Sequence, residues 1–255
     1  RRQPDRRALV ARRVGHRHFL KEGNTVETWV TLGTAAVLGF LHALEVDHML
    51  AVTAFVSRRP ALTTAAGFGA RWGVGHSISV CLAGGILLAT GVRWPERYDS
   101  VGEIVVGVLL IGLGAWALRS ASKLHLHPAG EHGDHAHVHH HGAGEAAHEH
   151  HHHHANGHGI TWVGMLHGLA GTTGVVALVP VTLIASRLVG FGYLVAFGVG
   201  VTAGMTVFAF IAAAAMRTAA ERSLLWGRRL AGVVGVAGIA VGVWWVVRAA
   251  GVLSR

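Results

Sequence analysis

Six long apolar segments constrain most strongly what this chain can fold into. They lie near 29–56, 61–90, 101–118, 160–186, 191–216 and 230–250. An α-helix needs ~20 apolar residues to cross the hydrocarbon of a bilayer. The composition agrees, because 51% of the 255 residues are hydrophobic and only 14% are charged. The sequence therefore predicts an all-α polytopic membrane helix bundle with about six transmembrane helices.

The second segment is longer than one span requires and carries Arg71. Residues 61–70 are therefore expected to be interfacial, or the helix to be tilted or broken. Arg1–Lys21 holds eight of the 22 Lys and Arg residues and is too polar for a cleavable signal peptide. The chain begins without Met, so we expect an upstream leader or helix to be missing. The basic residues flank apolar segments, which favours a membrane protein over a nucleic-acid-binding one.

The sequence contains an internal echo at a constant offset. The stretch "LHALE" at 41–45 returns as "LHGLA" at 166–170, and "GVGHSISV" at 73–80 returns as "GVGVTAGM" at 198–205, both 125 positions later. The third and sixth segments echo more weakly, since Trp116 and Arg119 correspond to Trp245 and Arg248 at an offset of 129. Small-residue spacings around Gly198 and Gly235 are typical of close helix packing in lipid.

Two halves of three helices each must insert with opposite orientations, since three is odd. The echo therefore predicts a 3+3 inverted repeat. Secondary transporters with this organisation have their substrate site near the membrane midplane, at broken helices. The predicted organisation is a basic N-terminal segment (1–26), a first three-helix half (27–119), a disordered His-rich loop (120–159) and a second half (160–255).

Fifteen of the 21 histidines lie in the insert from His125 to His158. The insert has almost no apolar residues, so it cannot form a packed core, and a His-rich tract of this kind usually binds transition metals. A pH-responsive or merely hydrophilic linker is the alternative. The histidines predicted to capture metal are His135, His137, His139, His140, His141, His150, His151, His152, His153 and His154.

The first apolar segment contains the stretch "LHALEVDHML" at 41–50, with two histidines and two carboxylates. A charged residue at the centre of a membrane helix costs ~2.5–3.5 kcal/mol on insertion scales, so such residues are treated as functional by default. A single membrane histidine is more often a packing residue than a ligand. Here His42, Glu45, Asp47 and His48 occur together, and His76 lies in the next segment.

Helix geometry limits how these residues could bind one ion. His42, Glu45 and His48 follow one slanting stripe, but ~9 Å of helix rise separates the two histidines. Either the helix is unwound or overwound here, or one end of the motif binds metal with help from another helix. His76 is the first candidate helper. His167, the repeat equivalent of His42, is the second, with Thr172 and Thr173 as oxygen donors.

The donor set favours borderline divalent ions. Nitrogen with some oxygen, and no thiolate apart from Cys81, fits Ni(II), Co(II) or Zn(II) better than Cu(I). Histidine and carboxylate ligands must be deprotonated to bind, so metal and protons compete and proton-coupled transport is a natural hypothesis. No prosthetic group is predicted, and the metal is the transported ligand.

The residues from His42 to His48 resemble the HX4DH signature of the nickel/cobalt transporter (NiCoT) family. "GVGHS" at 73–77 is similar to that family's next-helix Gly-His-Ser element, and "LHGLAGTTG" at 166–174 resembles an element of the broader superfamily of nickel/cobalt permeases and urease-accessory membrane proteins. The resemblance covers the six helices and leaves out the leader and the insert. It implies that His42, Asp47, His48 and His76 recognise the metal.

The resemblance implies secondary uptake of Ni²⁺ or Co²⁺ across a bacterial cytoplasmic membrane, with metallochaperones or nickel-enzyme maturation proteins as partners. The chain departs from the family pattern, which has eight spans. Its long His-rich loop is more like the related efflux permeases, so efflux is the alternative, as is a metal-sensing or urease/hydrogenase accessory protein without transport.

Orientation stays open. The basic leader favours a cytoplasmic N-terminus, whereas the loop charges without it, and the family pattern, place the His-rich loop in the cytoplasm.

Other classes of protein fit less well. Di-iron membrane enzymes need more histidine boxes than the four intramembrane histidines provide, and the motif differs from HExxH, so no enzyme is predicted. Cation-diffusion facilitators carry a soluble metal-binding domain, but only Gly251–Arg255 follows the last segment. The paired helix motifs of zinc/iron permeases are absent from the sequence.

Overall fold

The structure of the protein is a computed structural model that describes residues 25–57, 61–91, 96–121, 124–127, 137–140, 157–170, 184 and 186–254. Within these ranges the chain forms helices and two short strands. In chain order they are α1 (Thr25–His42), α2 (Val46–Val56), α3 (Leu62–Thr90), α4 (Glu96–Ala121), β1 (Leu124–His127), β2 (His137–His140), α5 (Gly157–Ala170), α6 (Arg187–Arg222) and α7 (Leu224–Leu253).

Four of the described helices are long and apolar enough to cross a membrane: α3, α4 over Asp99–Arg119, α6, and α7 over Leu225–Leu253. The pair α1 and α2 adds a fifth if it is counted as one broken span, with a bend of 57° between its halves. The chain is thus a helical membrane bundle. Of the fourth predicted segment, 160–186, the structure describes little beyond α5, which at 14 residues is too short to span alone.

One expectation for the second segment is a broken helix. The structure contradicts it, because α3 runs unbroken from Leu62 to Thr90 and includes residues 62–70. It ends at Gly91, whose φ of 68° is left-handed and whose N–H donates to the Leu87 carbonyl. Glycine adopts this conformation without the Cβ clash that other residues meet. The helix therefore stops where the sequence supplies a C-terminal glycine.

The His-rich insert contains the two strands, which pair antiparallel with Leu124 opposite His140 and His127 opposite His137. The prediction of disorder over 120–159 is therefore wrong for these eight residues, and also for 120–121 and 157–159, which belong to α4 and α5. LHLH alternates Leu with His, HVHH alternates over its first three residues, and a two-residue alternation favours an extended strand. The remaining residues of the insert lie outside the described ranges, apart from the ends of α4 and α5.

The first predicted span breaks between His42 and Val46. The last turn of α1 tightens, since the N–H groups of Leu44 and Glu45 donate to carbonyls only three residues back, at 3.0 Å each. Glu45 then takes an extended conformation, with φ −69° and ψ 153°, and becomes the N-cap of α2. The helix ends and restarts within three residues, which redirects the chain by 57°.

Glycines allow the helices to approach backbone to backbone. A Cβ added at Gly198 would lie 2.9 Å from the Ser77 Cβ, and one added at Gly235 would lie 2.9 Å from the Gly114 carbonyl oxygen. Distances below 3 Å cannot persist, so an added methyl group would force the helices apart. The prediction that the small-residue spacings around Gly198 and Gly235 are packing positions is confirmed.

Many of these contacts occur twice. In the second copy the first-half residue is replaced by the residue 125 positions later, and the second-half residue by the one 125 positions earlier. Gly39 faces the Phe197 carbonyl, and Gly164 faces the Trp72 carbonyl. In the same way, Gly200 faces Ala36 while Gly75 faces Thr161. At the crossing of α3 and α6 the equivalent residues meet each other, because the hydroxyl oxygens of Ser77 and Thr202 lie 3.3 Å apart.

Helices α4 and α7 form a second reciprocal contact. Gly107 lies against the Gly242 carbonyl, and Gly114 lies against the Gly235 carbonyl. Gly235 lies 128 positions after Gly107, and Gly242 lies 128 positions after Gly114. The two contacts are therefore one contact with the halves exchanged. These glycine contacts thus repeat at 128 positions, one fewer than the offset of 129 between the Trp and Arg residues of the two segments.

Candidate metal site

The break after α1 brings the two ends of the opening motif together. His42 is the last residue of α1, and His48 lies in the first turn of α2. Their ring centroids are 4.7 Å apart, much closer than the ~9 Å of rise along a regular helix would allow. Of the two alternatives left open by the helix arithmetic, the break is therefore present, and other helices also contribute to the site.

His76 reaches the motif from α3. Its Nε2 lies 3.3 Å from the His42 Nε2, and its ring centroid is 5.1 Å from that of His48. Around His76, helix α3 packs closely against α5, and glycines on both of these helices permit it. Gly75 of α3 faces the Thr161 backbone of α5, and a Cβ added at Gly168 of α5 would lie 2.6 Å from the His76 carbonyl oxygen. The small neighbours that singled out "GVGHS" thus bring α3 and α5 together around His76.

His167 enters from α5 and meets the carboxylate of Asp47. The His167 Nε2 lies 3.1 Å from one Asp47 oxygen, and the His48 Nδ1 lies 3.1 Å from the other. A carboxylate only accepts, so each imidazole donates an N–H to it. Asp47 therefore joins the motif helix α2 to α5, the helix that carries His167, 125 positions after His42.

Glu45 lies behind the site rather than in it. Its Oε1 accepts from the His42 Nδ1 at 3.0 Å, and its side chain is 33% exposed. With Nδ1 donating, a neutral His42 keeps its lone pair on Nε2, the atom that faces His76. A carboxylate that orients a histidine in this way is a common support for metal ligands.

The cluster contains two groups of three side chains whose donor atoms lie within 4.8 Å of one another. One group is His42, His48 and His76, and the other is Asp47, His48 and His167. All five residues are buried, none more than 5% exposed. We refer to them as triad A and triad B; they share His48.

Several nitrogen atoms in the cluster lack a hydrogen-bond partner. Among the described residues these include the His48 Nε2, the His76 Nδ1 and the His167 Nδ1, all buried. Buried polar atoms are nearly always paired, so unpaired ones require an explanation. Imidazole nitrogens together with one carboxylate suit Ni, Co or Zn, so the chemistry of the donor set fits a divalent cation.

The predicted site residues divide into three groups. His42, Asp47, His48, His76 and His167 come together, and Glu45 supports them. Thr172 and Thr173 lie outside the described residues, so their predicted role stays a prediction. Of the loop histidines predicted to capture metal, only His137, His139 and His140 are described, as backbone in β2; the others are His135, His141, His150, His151, His152, His153 and His154.

Sequence reasoning missed the aromatic residues behind the histidines. The Phe197 ring centroid lies 5.6 Å from that of His42, and the Trp72 ring centroid lies 5.7 Å from that of His167. Trp72 and Phe197 are themselves 125 positions apart, as are the two histidines they contact. The signal was available, because Trp72 precedes His76 by four positions and so shares its helix face.

Comparison with known proteins identifies a relative of the chain. No family model matches the chain, and no solved structure matches it. The urease accessory protein UreH of Bacillus sp. (strain TB-90) is 28% identical over 182 residues, which cover 70% of this chain and 73% of that protein. The chain is thus similar over most of its length to a urease accessory protein, in line with the resemblance of residues 166–174 to urease-accessory membrane proteins.

Proposed function

We propose that this membrane-spanning homologue of a urease accessory protein transports divalent transition-metal ions, Ni²⁺ or Co²⁺, through the buried His/Asp cluster. The observation that carries the proposal is the cluster itself: five buried donor residues gathered at a helix break, with unpaired nitrogens among them. Discontinuous membrane helices at a buried polar site are typical of secondary transporters. A bundle that served only as a scaffold would gain nothing from burying these groups.

The metal ligands in this proposal are His42, Asp47, His48, His76 and His167. Glu45 orients His42 from outside, and Thr172 and Thr173 follow His167 closely enough in sequence to add oxygen donors. The ion is cargo, and the protein carries out no chemistry on it.

The bundle is proposed to be a 3+3 inverted repeat. The reciprocal contacts support this, because Gly39 with Phe197 and Gly164 with Trp72 are one contact repeated with exchanged halves. The contact between Ser77 and Thr202, which are 125 positions apart, supports a pseudo-two-fold axis between α3 and α6. In such transporters the two halves rock against each other around a central site, so uptake and efflux need only opposite driving gradients.

Uptake is the proposed direction, on the strength of the intact motif from His42 to His48. Efflux is the second candidate, favoured by the long His-rich insert. The proposed location is a bacterial cytoplasmic membrane, and the proposed partners are metallochaperones or nickel-enzyme maturation proteins, in line with the urease accessory role named for the relative. A sensing or accessory role without transport is the remaining alternative.

Purified protein in proteoliposomes tests transport. We expect Ni²⁺ or Co²⁺ imposed on one side to enter vesicles containing the protein faster than protein-free vesicles, while Mg²⁺, which prefers oxygen ligands, does not compete. Saturable entry supports a carrier. Tight metal binding with no flux in either direction would contradict transport and favour a sensing or accessory role.

The His-rich insert is proposed to capture metal before or after permeation. Deletion of residues 128–154 should lower the number of metal ions bound and slow flux at low metal concentration, since imidazoles concentrate the ion near the bundle. Flux at saturating metal should match that of the intact chain, because the permeation site lies in the helices. Loss of saturated flux in a deletion variant that remains monodisperse would contradict this division of labour.

A further inference from the structure

Triads A and B share one residue, His48, and this residue lies between the other members. Its ring centroid is 4.7 Å from that of His42 and 4.3 Å from that of His167. It is also completely buried. His48 is therefore the side chain through which the two groups of donors meet.

The two nitrogens of His48 have different surroundings. Nδ1 lies 3.1 Å from Asp47, a member of triad B. Nε2 is buried and has no hydrogen-bond partner among the described residues. An imidazole can bind a metal through either nitrogen while it carries its proton on the other. His48 can thus serve one triad through Nε2 and the other through Nδ1.

The outer histidines of the two triads are repeat equivalents. His42 and His167 are 125 positions apart, and each is backed by an aromatic ring, Phe197 or Trp72, at the same offset. If the halves are inverted about an axis in the membrane plane, equivalent residues lie at opposite depths. Triad A is then closer to one membrane face and triad B to the other.

The remaining ligands are not symmetric. The repeat equivalents of Asp47, His48 and His76 are Thr172, Thr173 and Val201. The second half therefore supplies only His167 among the five clustered residues. The cluster is consequently not two copies of one site but a single central histidine with different donors on its two sides.

We propose, resting on the proposed function, that triads A and B are two successive positions of one ion, and that His48 passes the ion between them. The ion is held by three imidazoles in triad A and by two imidazoles and the Asp47 carboxylate in triad B. Two divalent ions this close would repel strongly, so the positions are occupied in turn.

The test compares His76→Ala, His167→Ala and His48→Ala in the full-length chain, with the loop histidines replaced by serine in every variant and in the reference. Thr53→Ala is the matched control: it lies on α2 beyond His48, and its hydroxyl donates to the Met49 carbonyl of its own helix. The probes are Co²⁺ affinity, the Co²⁺ ligand-field spectrum and Co²⁺ flux in proteoliposomes.

If the two triads form a relay, the variants should differ in which triad remains able to bind Co²⁺. His76→Ala leaves triad B intact and His167→Ala leaves triad A, so each still binds one Co²⁺. Their spectra should differ, because one set of ligands contains a carboxylate and the other does not. His48→Ala disrupts both triads and should lower affinity by a further factor of about ten or more relative to either. All three should lose flux, and Thr53→Ala should keep it.

A single five-ligand site predicts otherwise. Indistinguishable spectra for His76→Ala and His167→Ala, or an affinity loss in His48→Ala no greater than theirs, would overturn the relay while leaving transport intact. Full flux in His167→Ala would also overturn it. Absence of Co²⁺ flux in the reference protein would overturn the proposed transport itself. This outcome is measured on the reference protein alone, so it is distinguishable from failure of the relay.

Discussion

Replacement of Asp47 by asparagine is expected to abolish Ni²⁺ and Co²⁺ flux while leaving the bundle folded. The Asp47 carboxylate is 2% exposed and accepts from both His48 and His167, at 3.1 Å each. Asparagine preserves the shape but removes the negative charge and one acceptor. Loss of a supporting carboxylate alone typically costs about 10–100-fold in metal affinity or activity, and Asp47 is both a ligand candidate and a support, so at least that loss is expected.

Glu45→Gln is the matched control for this prediction. Glu45 lies two positions away and also bonds a histidine, but through the outer nitrogen of His42 and with a third of its side chain exposed. Flux should fall less than in Asp47→Asn, because the amide oxygen of Gln can still accept from His42. Equal losses in the two variants, or full flux in Asp47→Asn, would refute the assignment of Asp47 to the site.

Replacement of Gly39 by alanine is expected to lower thermal stability strongly. The added methyl group would collide with the Phe197 carbonyl, which belongs to a backbone and cannot rotate away. Overpacking of this kind costs about 1–3 kcal/mol, which corresponds to a fall of roughly 2 to 12 °C in Tm for a chain of this size. The measurement is the loss of monodisperse protein on heating in detergent, and Gly164→Ala should behave alike.

Gly33 provides the control on the same helix. No atom lies within 4 Å of a Cβ added there, so Gly33→Ala adds a methyl group without a clash. Alanine is the better helix former by about 1 kcal/mol, so Tm should stay constant or rise slightly. A fall in Gly33→Ala as large as in Gly39→Ala would mean that the approach of α1 to α6 does not determine the effect.

The helical membrane character was predictable because long apolar segments leave few other structures. Four of the six predicted segments appear as membrane-length helices, and a fifth appears as the broken pair α1 and α2. The ends were less predictable: α6 continues to Arg222, beyond the predicted end at 216. Apolar composition marks the hydrocarbon-spanning part of a helix, whereas a helix can extend past it into polar surroundings.

The site was predictable in its members but not in its pairing. Charged residues in an apolar segment singled out His42, Asp47 and His48, and the repeat singled out His167. Helix arithmetic showed that the motif could not act on one regular helix, but it did not decide between a break and a partner helix. The pairing of His167 with Asp47 depends on how α5 packs against α3, which no short stretch of sequence encodes.

The direct test of the central claim is X-ray absorption at the nickel edge, on full-length protein whose loop histidines are replaced by serine and which carries one equivalent of Ni²⁺. We predict a first shell of nitrogen and oxygen with the multiple-scattering signature of imidazole, and a weaker signature in His48→Ala, which removes one imidazole from each triad. An imidazole signature that persists unchanged in His48→Ala, or a first shell of oxygen alone in the reference protein, would contradict metal binding by the buried cluster.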